Sequence, residues 1–127
     1  MKLPLPPLAA LSIAALASAC GSTSQSTDTV FMTIQNGGMI VSGTYRTEGF
    51  SQGRVRSMVG RICTSAGFSG FNQTVTGTTA NFSASCSGQT KYNTGGNAVF
   101  MRQEDGRVTY TISYAQNGRP LQEDGNL

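Results

Sequence analysis

Over residues 8–17 every side chain but Ser12 is apolar, and the chain then turns polar, with no apolar residue anywhere in 21–28. From residue 29 the pattern changes to a period of two. Val30, Met32 and Ile34 share one face of a strand over 29–35, and a partner strand over 39–45 returns Met39 and Val41 to the same face. Asn36-Gly37-Gly38 between them supplies the positive φ values that a tight hairpin turn needs. Over 52–64 the period lengthens: Val55, Met58, Val59 and Ile62 recur at i, i+3, i+4 and i+7, which predicts an amphipathic helix. Ser51 is placed to cap its start and Gly67 to stop it, while Gly53 and Gly60 each weaken it by up to about 1 kcal/mol relative to Ala.

Short β-prone pieces follow at 73–76 and 80–85, with Phe82, Ala84 and Cys86 on one face. A last hairpin is expected from 98–103 and 107–114 around Glu104-Asp105-Gly106, its second strand carrying Val108, Tyr110, Ile112 and Tyr114 on one side. Residues 115–127 hold Asn117-Gly118, Pro120 and Gly125 with few apolar side chains, and read as a frayed tail. The aromatic residues Phe68, Phe71, Phe82, Tyr92, Phe100, Tyr110 and Tyr114 are assigned to core packing, since a domain of this size needs most of them inside. The expected fold class is α+β: a small antiparallel sheet of about five to seven short strands with one helix and one disulfide. An all-β barrel or sandwich is the alternative.

The apolar run at 8–17 is too short to span a bilayer, which takes about 20 residues, and follows Lys2 as the core of a cleavable export signal would. Ala17-Ser18-Ala19-Cys20-Gly21 then resembles the lipobox of bacterial lipoproteins, in which a peptidase cuts before a cysteine already linked to diacylglycerol. The position three before the cysteine is usually Leu in that family, and here Leu16 lies four before it. The resemblance implies a signal peptide over 1–19 and Cys20 as the acylated (diacylglycerol and palmitate) terminus; the pattern itself gives a flexible tether over 20–28, a domain over 29–114 and the tail over 115–127. Because Gly21 is not acidic, it further implies an outer-membrane lipoprotein facing the periplasm. Eight tether residues hold a domain roughly 15 Å from its anchor.

Cysteine count fits that layout. Three cysteines in an exported chain leave one odd thiol, and acylating Cys20 leaves Cys63 and Cys86 as an even pair for a disulfide. Their wide spacing and the absence of histidine favour a structural bridge over a redox pair.

Removing residues 1–19 from the 127 leaves 108, enough for one core, and takes the nine basic residues to eight against six acidic ones, a formal charge of +2. Export and this weak charge exclude nucleic acid as an expected partner. The lack of histidine removes the commonest general base and the usual nucleophile systems, so a non-catalytic role is expected, with no metal and no cofactor. A small carboxylate-dependent hydrolase would need Glu48 and a second acid in one cleft.

Candidate partner-binding residues are Arg54 and Arg61 on one flank of the helical stripe, Arg56 on the other, and Ser87, Lys91 and Tyr92. The arginines suit anionic headgroups, lipopolysaccharide or wall polymer beneath an anchor. Ser87-Gly88-Gln89-Thr90-Lys91-Tyr92 resembles the Ser-Gly-x-x-Tyr loop of the membrane-bound C-type lysozyme inhibitors over those six residues, with one extra residue before the tyrosine. That resemblance implies Ser87 and Lys91 reaching into the acidic cleft of a wall-degrading enzyme. The leading expectation is a membrane-anchored lipoprotein that binds or scaffolds an envelope protein or wall polymer.

Overall fold

A computed structural model describes residues 26–35 and 37–127. The signal segment, Cys20 and most of the tether lie outside the described residues. In chain order the elements are β1 (Thr29–Gln35), β2 (Ile40–Arg46), α1 (Gln52–Cys63), a 3-10 turn (Thr64–Ala66), β3 (Phe68–Thr76), β4 (Thr79–Cys86), β5 (Gly96–Arg102), β6 (Val108–Gln116) and β7 (Arg119–Asn126). The strands form one sheet in the order β3-β4-β2-β1-β5-β6-β7. Every neighbouring pair is antiparallel. Among the described residues, with seven strands and a single α-helix, the architecture is closer to all-β than to the α+β class expected.

Alternation decides which face of the sheet is buried. Val30, Met32, Ile34, Val41, Ala80, Phe82, Ala84, Ala98, Phe100, Val108 and Ile112 lie on the inner face, against Val55, Met58, Val59 and Ile62 of α1. The helix forms because this packing outweighs its local cost. Burying four such side chains contributes about 6–12 kcal/mol, against about 2 for two glycines. Ser51 caps it, its Oγ accepting from the backbone N–H of Arg54 at 3.1 Å. At the other end Cys63 bonds to Cys86, the last residue of β4, with Cα atoms 5.2 Å apart.

The outer face follows the same register with opposite chemistry. One row across all seven strands reads Asn72, Ser83, Ser42, Thr33, Asn97, Ser113 and Gln122. This carpet of uncharged polar groups is where much of the Ser, Thr, Asn and Gln content goes.

Four boundaries differ from expectation. Met39 is exposed, because it belongs to the turn at Gly37 (φ 69°) and Gly38 (φ 85°) rather than to β2. β3 begins at Phe68, and a register shift between Ser69 and Asn72, with Gly70 at φ 66°, breaks the alternation that would have announced it. Asp28 is not free tether: its carbonyl accepts from the Arg102 backbone at 2.8 Å and its carboxylate pairs with the Arg102 guanidinium at 3.1 Å. The tail is not frayed over 119–126. Asn117 (φ 54°) and Gly118 (φ 76°) make a tight turn into β7, which pairs along β6 from Gln116↔Arg119 to Thr109↔Asn126. Pro120 is tolerated there because β7 is an edge strand.

Candidate functional site

One flank of α1 is tied to β3 and β4. Besides the disulfide, the Arg56 guanidinium lies 5.2 Å from the Phe68 ring centroid and 5.1 Å from that of Phe71. The opposite flank, carrying Arg54, Ser57, Arg61 and Thr64, faces Tyr110 and Ile112 of β6, Glu123 of β7, Leu127, and Lys91 and Tyr92 of the loop before β5. Between these walls is a cleft of about 770 Å³.

Local structure fixes the loop that carries Lys91 and Tyr92. Thr90 is buried, its hydroxyl donating to the Gly38 carbonyl at 2.8 Å and accepting from the Tyr92 N–H at 3.3 Å. A Cβ on Gly38 would fall 2.5 Å from the Thr90 Oγ1, so the turn and the loop close on each other only with glycine there. The Tyr92 ring stands edge-on to Tyr114, centroids 4.9 Å apart, and is 2% exposed.

The far wall is one hydrogen-bonded group. Lys91 Nζ donates to Glu123 Oε2 at 2.7 Å and the Tyr92 hydroxyl donates to Glu123 Oε1 at 2.7 Å. Those two bonds, Lys91's first, hold the Glu123 carboxyl below its ordinary range, so it is ionised at neutral pH. The same carboxylate raises Lys91, while burial first and the Glu123 bond second push the Tyr92 phenol up. On the near wall the Arg61 guanidinium lies 5.6 Å from the Tyr110 centroid and donates to the Asn126 carbonyl at 3.2 Å. Among the described residues neither Arg54 nor Arg61 has a carboxylate within ion-pair distance.

Of the six expected binding residues the fold thus gathers Arg54, Arg61, Lys91 and Tyr92 in one cleft. Arg56 lies on the other flank, covering Phe68 and Phe71. Ser87 stands at the end of β4, its N–H donating to the Gly67 carbonyl at 2.8 Å, and does not line the cleft. Glu48, required for the carboxylate-pair expectation, pairs with Arg46 and is also not a lining residue. Glu123, a carboxylate the sequence places in an exposed tail, and Asn126 and Leu127, which no pattern singles out, join the site because 119–126 is a strand. The signal that locates them is Asn117-Gly118, a hairpin dipeptide directly after the best-patterned strand. Of the expected core aromatics, Phe82, Tyr92 and Phe100 are buried, while Phe68, Phe71, Tyr110 and Tyr114 are half-buried against the core.

Among the described residues no group of three or more Cys, Asp or Glu is placed to hold a metal ion, and no helix is long and apolar enough to cross a membrane. Compared with protein-family models, with curated proteins and with solved structures, the chain matches none.

Proposed function

We propose that this protein is a non-catalytic lipoprotein, anchored through Cys20 at the periplasmic face of the outer membrane, whose α1–β7 cleft binds an envelope partner. The observation that carries the reading is the cleft's cationic character: Arg54 and Arg61 line it without a carboxylate partner among the described residues, while its own carboxylate, Glu123, is occupied by Lys91 and Tyr92. Both oxygens of Glu123 accept from Lys91 and Tyr92, and among the described residues no second Asp or Glu lines the cleft for paired-carboxylate chemistry, which weighs toward binding rather than hydrolysis. The cysteine count supports the anchor, since a Cys63–Cys86 bond leaves Cys20 as the odd thiol. The lysozyme-inhibitor alternative has less support: Lys91 is engaged within the domain and Ser87 lies away from it.

The test is a photo-crosslinker at Ser65, on the cleft rim, and at Ser83, on the outer sheet face, in intact cells. An envelope component captured from Ser65 and not from Ser83, and lost with Arg54→Ala/Arg61→Ala, is the expected result. Equal capture from both positions, or none from Ser65, overturns the reading.

A further inference from the structure

We infer that the cleft binds a phosphomonoester dianion, held by the guanidinium groups of Arg54 and Arg61 with Lys91 at its edge. This rests on the reading of the cleft as the binding site and names what it takes. The first argument is charge. Arg54 and Arg61 each contribute a positive charge with no carboxylate within ion-pair distance among the described residues, whereas Lys91 is already paired with Glu123. A carboxylate or a phosphodiester carries one negative charge and leaves one arginine unmatched. A phosphomonoester carries about −1.5 to −2 at pH 7 and matches both.

The second argument is geometry. Arg54 and Arg61 are seven residues apart on α1, two helical turns and roughly 10 Å along the axis, and both line the cleft. Arg61 is already oriented by the Tyr110 ring and spends one donor on the Asn126 carbonyl, leaving the rest of its five N–H groups for a ligand. A guanidinium held this way loses little freedom on binding and offers the planar fork that suits phosphate oxygens. Ser65 at the rim adds a hydroxyl, and Ile112 and Leu127 give an apolar floor for the carbon side of the ester. Glu123 has a selective role: its fixed negative charge opposes weakly bound anions and occupies the Lys91 ammonium.

The phosphomonoester could be soluble or the headgroup of a lipid, and the two are separated by probe. Calorimetry with glucosamine 6-phosphate tests the soluble form, and flotation with vesicles containing phosphatidic acid tests the lipid form. Glucosamine and phosphatidylglycerol vesicles, the latter a diester, are the controls. Saturable binding of either monoester is expected, weakened on the order of tenfold by Arg54→Ala and by Arg61→Ala and unchanged by Arg119→Ala on the exposed β7 edge. Arg61→Lys keeps the charge but not the fork and should fall between wild type and Arg61→Ala. Glu123→Gln should tighten binding, because it removes the opposing charge. Affinity should drop from pH 7 to pH 5 as the dianion takes up a proton near pH 6 and becomes a monoanion. Circular dichroism of each variant keeps a folding defect apart from lost binding. The inference fails if phosphatidylglycerol binds as well as phosphatidic acid, if Arg61→Ala binds like wild type, or if neither monoester saturates. A Ser65 crosslink obtained alongside such a failure leaves the binding-module reading standing and removes only the ligand class.

Discussion

The Tyr92 hydroxyl and the Glu123 carboxylate, 31 residues apart in sequence, meet at 2.7 Å and join the loop before β5 to the edge strand β7. Tyr92 is buried and Glu123 is half-exposed, so this bond runs from the core to the cleft wall. Tyr92→Phe removes the donor while keeping the ring against Tyr114. The expected loss is about 1–2 kcal/mol, the range for a bond to a charged and partly solvated acceptor. Urea unfolding measures it, and an unchanged midpoint would mean the bond does not contribute.

The same three groups set a pH dependence with two limbs. Glu123's folded pKa is depressed, so its contribution is present above its ordinary value of 4.5 and is lost as pH falls through the folded value. Lys91 and Tyr92 are raised in the folded state, so their contributions hold below their ordinary values of 10.5 and 10.0 and are lost as pH climbs beyond them. Stability should be flat around neutrality and fall on both sides. Glu123→Gln should flatten the acid limb below pH 4.5 and shrink the alkaline one. Denaturation midpoints from pH 2.5 to 11 give both slopes, and identical acid slopes in wild type and Glu123→Gln would contradict the assignment.

The cysteines separate by substitution. Cys63→Ser or Cys86→Ser opens a loop with a sequence separation of 23 and should cost about 3 kcal/mol, with the double substitution costing no more than either single. Cys20→Ser should abolish palmitate labelling and membrane fractionation and leave the midpoint unchanged. A Cys63 single variant far from the double, or lipid labelling that survives Cys20→Ser, would sink the assignment of one bridge and one anchor.

Gly38→Ala probes the support beneath the cleft. A Cβ there meets the Thr90 hydroxyl and the Tyr92 carbonyl, and the residue sits at φ 85°. About 1–3 kcal/mol of destabilisation is expected, together with displacement of Lys91 and Tyr92. Amide exchange across residues 88–95 reads the displacement. Gly37→Ala, with open space around its Cβ site, should leave that loop unperturbed while carrying only the positive-φ strain.

Much of this fold is visible in local pattern. Val30, Met32 and Ile34 alternate, Val55, Met58, Val59 and Ile62 follow a helical period, and each set is buried. What escapes is what depends on distant pairing. β7 is polar along most of its length and is a strand because β6 offers it a ladder, not because of its own residues. β3 hides behind a bulge at Gly70. That Arg54 and Arg61 share a flank is readable from spacing, but that this flank faces Lys91 and Glu123 depends on the sheet order, which brings the β5–β6–β7 half of the sheet round to the free side of α1. The expected five to seven antiparallel strands, one helix and one disulfide are all present; the class leans to all-β because one helix stands against seven strands.

The position of β1 at the centre of the sheet decides how the domain meets mechanical load. A pull transmitted through the chain before Thr29 runs along β1, which is bonded to β2 on one side and β5 on the other, and Asp28 is itself held to Arg102. Such a force strains both ladders in shear, all bonds at once, because they lie across the strand direction. A pull on the C-terminus acts instead on β7, which has one neighbour and can unzip bond by bond. Tugged by its N-terminus the domain resists as a block; tugged by its C-terminus it peels, and the wall of the cleft that carries Glu123 goes first.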